Sequence, residues 1–327
     1  MHSLTSMLKY KRKPRTDSIK DFSERFLHPT FGFPDKHGNY ELVIGDKPEI
    51  MYAAHYDTVH DDDGMQNIQI NKQIVTLAKG SKSKCLGADC ATGIWLILEM
   101  IDAGIEGVYV VHAEEESGCI GARELVKDNP SWMQHLKAVI SFDRRDTESI
   151  VTHQMGLRTC SDAFAVSLDS ILGLGMRPDT GGSYTDSNEY ASDISECTNI
   201  SVGYLYQHTA KEQQDLQFAS DLRDALIAAD WSKLIYERDP SVLEYDYGSG
   251  YGWYSPSHWS EGNYSNATAI GYEEIDSEPF EELVREHPEA VSRMLADYFS
   301  SHLELLEELY HYGAQDKPSA FLNKWLR

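Results

Sequence analysis

Apolar residues fall along the first 236 positions in two rhythms. Short runs such as IMYAA, VYVV and AVISF, bounded by polar or turn-forming residues, predict strands at Tyr40–Ile44, Glu49–Ala54, Gln73–Leu77, Gly107–His112, Ala138–Phe142 and Ile200–Tyr206. Between them, apolar positions recur every three or four residues and predict helices at Ala91–Ala103, Ala122–Lys127, Ser161–Leu172 and Leu216–Tyr236. In the last of these, Phe218, Leu222, Leu226 and Leu234 share one face. Strands alternating with helices call for an α/β fold with a mainly parallel, mixed central sheet and helices on both faces. Ligands of such sheets gather at the carboxyl ends of the strands.

The pattern changes near Arg238. Residues 237–278 contain the run YDYGSGYGWYSPSHWSEGNYSNATAIGY, poor in aliphatics and rich in Tyr, Trp, Gly and Ser, and read as an acidic aromatic loop or arm. From Pro279 helical spacing resumes, with Val291, Leu295, Tyr298, His302, Leu306 and Leu309 near one face, so 279–327 is expected to be a helical C-terminal appendage. The expected organisation is therefore an α/β domain over 1–236, the loop over 237–278 and the appendage over 279–327.

Composition narrows the function. With 53 acidic and 29 basic residues the net charge is −24, half of it in the tail. That balance opposes a nucleic-acid backbone or an anionic membrane surface as the main partner. No apolar run approaches the roughly 18 residues of a membrane span. The basic N-terminus, MHSLTSMLKYKRKPR, lacks the apolar core of a secretion signal. Cys85, Cys90, Cys119, Cys160 and Cys197 form no CxxC pair, which speaks against a disulfide framework. A cytoplasmic protein is expected.

Potential metal ligands sit directly after predicted strands. His55 and Asp57 follow IMYAA; Asp89 lies in LGADCATG before a helix; Glu114, Glu115 and Glu116 follow VYVVHA; Asp143 closes VISF; His208 follows ISVGYLYQ. Two imidazoles and three carboxylates are the nitrogen and oxygen donors that zinc accepts without thiolates. With one bridging carboxylate, two metals about 3.5–4 Å apart each receive one His and one terminal carboxylate, leaving a place for water. Asp57 is placed to fix the tautomer of His55, and one of two adjacent glutamates is free to act as a base.

HYDT, GADCATG, EEESG, SFD and YQHT, in that order, resemble the five signatures of the co-catalytic di-zinc exopeptidases over roughly residues 40–236. The resemblance implies metal ligands at His55, Asp89 (the bridge), Glu116, Asp143 and His208, with Glu115 as general base and Asp57 orienting His55. It implies two Zn²⁺ per chain, replaceable by Co²⁺ or Mn²⁺, and an aminopeptidase acting on peptides or small amides. A small-molecule deacylase, a single-zinc glutaminyl-cyclase-like enzyme and a non-catalytic metal-bound scaffold are the alternatives. The short intervals between motifs are similar to those of the compact single-domain branch, while the Thr-Asp of GGSYTDS resembles the tetrahedral-shell branch; a homo-oligomer is compatible with either. Cys90 stands where the family has a second Asp, and the family's cis peptide would fall at Asp89–Cys90. Tyr184 and Asp186 are candidate contacts for the substrate oxyanion and ammonium, His60 is expected in an exposed loop, and Arg144 in a salt bridge.

Overall fold

In the computed structural model, which describes residues 3–245, the chain begins with three short helices, α1 (Leu4–Met7), α2 (Asp17–Phe22) and α3 (His28–Phe31). Strands β1 (Tyr40–Ile44), β2 (Ile50–His55), β3 (Ile68–Asn71) and β4 (Ile74–Leu77) precede the long helix α4 (Ala88–Asp102). Then come β5 (Gly107–His112), α5 (Ile120–Asp128), β6 (Ala138–Arg144), β7 (Ser149–Val151), β8 (His153–Gln154) and β9 (Leu157–Arg158). Helix α6 (Asp162–Leu172), β10 (Arg177–Asp179), β11 (Glu196–Ser201), β12 (Tyr204–Leu205), β13 (Gln213–Asp215) and α7 (Leu216–Ala228) follow. The expected appendage over 279–327, and all of the aromatic loop beyond Tyr245, lie outside the described residues.

Seven strands form the central sheet in the order β1-β5-β2-β6-β11-β7-β10. β5, β2, β6 and β11 run parallel; β1 joins β5 antiparallel, and β7 meets β11 antiparallel through Ile150 and Ile200. The mixed, mainly parallel sheet agrees with the strand–helix alternation. Side chains divide by the period of two: Tyr52, Ala54, Tyr109, Val111, Ile140 and Phe142 enter the core beneath α4, α6 and α7, whereas Met51, Ala53, Val108, Val110 and Val139 enter the one beneath α5. Both faces are covered. Helix α4 is buried from Ala88 to Met100, which explains why its apolar residues run all round it.

Several boundaries differ from the predicted ones. The segment Ile200–Tyr206 is not one strand: β11 ends at Ser201, Gly203 has φ +89, and β12 leaves for a smaller antiparallel sheet, β12-β13-β4-β3. The predicted helix over Leu216–Tyr236 stops at Ala228, before Asp230. Beyond position 236 the chain remains bound to the same unit. The Glu237 and Arg238 N–H groups donate to Glu196 Oε1 at 2.8 and 3.0 Å, and the Arg238 guanidinium donates to the carbonyls of Arg158, Ala191, Ile194 and Ser195. Among the described residues no helix is long and apolar enough to cross a membrane, and all five cysteines are free and buried.

Candidate metal centre

The sheet delivers the predicted ligands to one place, its carboxyl edge. His55 is the last residue of β2, Asp143 the penultimate residue of β6, and Glu115 and Glu116 open a 3₁₀ turn, Glu115–Ser117, just past β5. Asp89 is the second residue of α4, and His208 stands on the loop from β12 to β13. Donor atoms of Asp89, Glu116 and His208 lie within 4.8 Å of one another, and so do those of His55, Asp89 and Cys90. Asp89 is common to both groups, the position a bridging carboxylate requires. His208 Nε2 is 3.0 Å from Asp89 Oδ2 and 2.9 Å from Glu116 Oε1, while His55 Nε2 is 3.5 Å from Asp143 Oδ1.

The backbone departs from ordinary conformations here. Glu114, Cys119, Tyr206 and His208 have φ between +54 and +60, unusual for residues with a Cβ. Such strain persists only where surrounding contacts enforce it, and it clusters at functional sites. Asp57 is one enforcing group: Oδ1 accepts from the Glu115 N–H at 3.0 Å and Oδ2 from the Glu116 N–H at 3.2 Å. The same Oδ1 lies 3.6 Å from His55 Nδ1, longer than a hydrogen bond, so its hold on that ring is electrostatic. Glu114 faces away and pairs with Arg15.

Charge density is high. Burial raises Glu115 well above the ordinary carboxylate range, and nearby acids add to the rise. Burial alone would lower His55, but Glu115, Asp143 and Asp57 outweigh it and hold the imidazole well above its usual value. Hydrogen bonding to Asp89 and Glu116 lifts His208 to about 11. Asp89 responds in the opposite sense: burial would raise it, yet the His208 hydrogen bond and both imidazoles hold it low. Five carboxylates crowding two imidazoles is an excess of negative charge that divalent cations neutralise. Nitrogen and oxygen donors of this kind are ones that zinc accepts, so the chemistry of the candidate ligands His55, Asp89, Glu116, Asp143 and His208 fits a bound divalent metal.

Other expectations are corrected by the geometry. His60 is buried, not an exposed loop residue; it sits between Thr58 Oγ1 at 2.6 Å and Gln66 Oε1 at 3.1 Å. No cis peptide occurs among the described residues, so Asp89–Cys90 is trans. Cys90 is buried, with Arg12 Nη2 2.9 Å from its sulfur, and burial pushes the thiol up. Arg144 forms the expected salt bridge, with Asp179 at 2.8 Å. Tyr184 is half-exposed and donates to Glu189, whereas Asp186 is buried with Oδ2 3.3 Å from His112 Nδ1.

Supporting residues escaped the sequence patterns. Thr185 donates to Asp143 Oδ2 at 2.9 Å, leaving Oδ1 toward His55; Asn199 Oδ1 accepts from the Asp143 N–H, and Tyr204 donates to the Asp143 carbonyl. Arg12, fully buried, donates through Nη2 to the Gly87 carbonyl at 2.6 Å. Their partners lie 42 to 75 positions away in sequence, so no local motif announces them.

The fold is a mixed α/β sheet with candidate metal ligands at its carboxyl edge. Residues 40–162, which carry every proposed site residue from His55 to Asp143, match the model of Peptidase family M28. The match spans less than half of the chain; it indicates a metal-dependent peptide hydrolase similar to the co-catalytic zinc exopeptidases, whose cofactor is typically zinc. The fold agrees with solved structures at low identity. A tripeptidase from Staphylococcus aureus is 12% identical with a TM-score of 0.54, matched over 69% of this chain and 95% of its own. The TET1 peptidase of Pyrococcus horikoshii, which can assemble into a tetrahedron or a large octahedral shell, is 15% identical with a TM-score of 0.51, matched over 70% and 100%. Aminopeptidase PepT of Bacillus cereus is 14% identical with a TM-score of 0.50, matched over 69% and 95%. No curated relative matches.

Proposed function

We propose that the protein is a di-zinc aminopeptidase, with His55 and Asp143 holding one ion, Glu116 and His208 the other, and Asp89 shared. The observation that supports this reading is the place of Asp89, whose carboxylate lies within 4.8 Å of the donor atoms of both His55 and His208. Bound there, the two ions supply Lewis acidity toward the substrate carbonyl and toward the attacking water. Glu115, which the resemblance marks as the base, takes the proton from that water and returns it to the nitrogen of the leaving amine. Asp57 fixes the backbone on which Glu115 and Glu116 both stand, so base and ligand keep a constant separation. Tyr184, the candidate oxyanion contact, is half-exposed, with its hydroxyl donating to Glu189 at 2.9 Å.

Elemental analysis of zinc-reconstituted protein, followed by a panel of aminoacyl substrates, tests the reading. Two ions per chain and release of N-terminal residues are expected. Glu115→Gln is expected to keep both ions and lose about 10²- to 10⁴-fold in turnover. One ion, with cyclisation of N-terminal glutamine, would instead identify the cyclase-like alternative; cleavage of N-acyl compounds alone would identify a deacylase.

A further inference from the structure

Glu212 is fully buried and has no part in the chemistry above. It stands four positions after His208, and its carboxylate reaches the first turn of α4. Oε2 accepts from the Leu86 and Gly87 N–H groups at 2.8 and 3.0 Å, and Oε1 accepts from the Ala88 N–H at 2.7 Å. These three donors immediately precede Asp89. The short stretch between His208 and Glu212 is closed on itself. Thr209 Oγ1 donates to the Tyr206 carbonyl at 2.7 Å and accepts from the Lys211 N–H at 3.2 Å, and the Glu212 N–H donates to the Thr209 carbonyl at 3.0 Å. A loop this tightly wound moves as one piece. His208 needs such a hold, since its side chain is 45% exposed and its φ is +60.

The geometry points to Glu212 as the positioning residue of the His208 half of the metal centre. It ties the loop that carries His208 to the helix start that carries Asp89, and so sets the separation of these two ligands. Arg12 grips the same helix start from the other side through the Gly87 carbonyl, leaving the His208 loop as the movable partner. The inference rests on the di-metal reading above. Residues that orient ligands in this way are worth about 10- to 100-fold in metal affinity.

The test uses Glu212→Gln in the full chain. The substitution keeps the side-chain volume but replaces one acceptor oxygen with an N–H₂ group, which must then face a backbone N–H. Zinc content is read by elemental analysis, and the two stepwise affinities by chelator competition. Wild-type protein is expected to bind two ions. The variant is expected to hold the first unchanged and bind the second about 10- to 100-fold more weakly, with activity recovering in excess zinc. A purely structural role would weaken both ions in step with the melting temperature, and that result overturns the proposal, as does wild-type affinity for both ions. Glu212→Asp, which keeps the charge and shortens the reach, must show the same one-ion weakening and decides the matter if the Gln variant does not fold. Wild-type protein lacking a second ion would overturn the di-metal reading and this inference with it. A two-ion wild type with an unaffected variant overturns only the role of Glu212.

Discussion

Gly93 lies one turn beyond Asp89 on the face of α4 that rests on the sheet. A Cβ placed there would meet the Phe142 carbonyl oxygen well inside van der Waals contact, with Ala54 Cβ at 3.0 Å and Phe142 Cβ at 3.2 Å. None of these atoms can swing aside: one belongs to the backbone of β6, and the others are the first carbons of side chains in β6 and β2. Relief therefore requires α4 to rise from the sheet by something on the order of 1 Å, given that carbon contacts are optimal near 3.5–4.0 Å. Overpacking of this kind costs about 1–3 kcal/mol. Replacing glycine by alanine in a helix returns about 1 kcal/mol, so Gly93→Ala is expected to lose up to about 2 kcal/mol, or roughly 4–8 °C in melting temperature for a unit of this size. The lift has a second effect, because Phe142 precedes Asp143 and the helix carries Asp89. The loss should be larger in zinc-loaded than in zinc-free protein, since weakened ligation lowers the stabilisation that bound metal contributes. Thermal melts with and without zinc read both effects. An alanine variant more stable than the wild type by the full helix-propensity gain of about 1 kcal/mol, with full zinc content, would refute the close seating of α4 and the argument built on it.

Three further outcomes are expected. Burial lowers His60 from 6.5 to about 4, so between those values the unfolded chain takes up a proton that the native state refuses. Stability should fall as the pH drops through this window, by about 2 kcal/mol from this residue at pH 5; urea melts at pH 7 and 5 should show His60→Asn losing that share of the slope. Arg12→Met strands the Met7 and Gly87 carbonyls and removes the guanidinium lying 4.8 Å from the centre of the Phe22 ring. It is expected to cost about 2 kcal/mol or more in denaturant titrations. Arg238→Ala uncouples four carbonyls from their shared donor, and limited proteolysis should then cut near residues 236–245 at a rate the wild type does not show.

The sequence made the scaffold legible where burial is purely apolar. β1 and β5 were predicted to the residue, and β2 and β6 with their starts or ends off by one or two, because their runs are continuous and their neighbours polar. β11 was misread because Glu196, Thr198 and Asn199 are buried in it. Glu196, for example, is satisfied by the Ser161 N–H and hydroxyl 35 positions away, a partner no local pattern reveals. The early helices were missed for a related reason. They are too short to show periodicity, and they bury Arg12, a residue that composition assigns to the surface. The candidate ligands were legible because each is confined to a short motif, at or just past a strand end or, for Asp89, at a helix start. Thr185, Glu212 and Arg12, which hold those ligands from far along the chain, were not.

The dispersal of the proposed ligands also bears on the order in which the molecule is made. His55, Asp89, Glu116, Asp143 and His208 come from five separate stretches, and β6, which carries Asp143, must dock beside β2 before the first four can meet. Chains are synthesised from the N-terminus, at about 5–20 residues per second. The centre therefore remains incomplete until His208, and Glu212 after it, have left the ribosome. A nascent or truncated chain ending before that point holds the proposed base but only part of the proposed metal cradle. Hydrolytic capacity is thus delayed until the chain can close its own fold, and an unfinished copy poses little danger to the peptides around it.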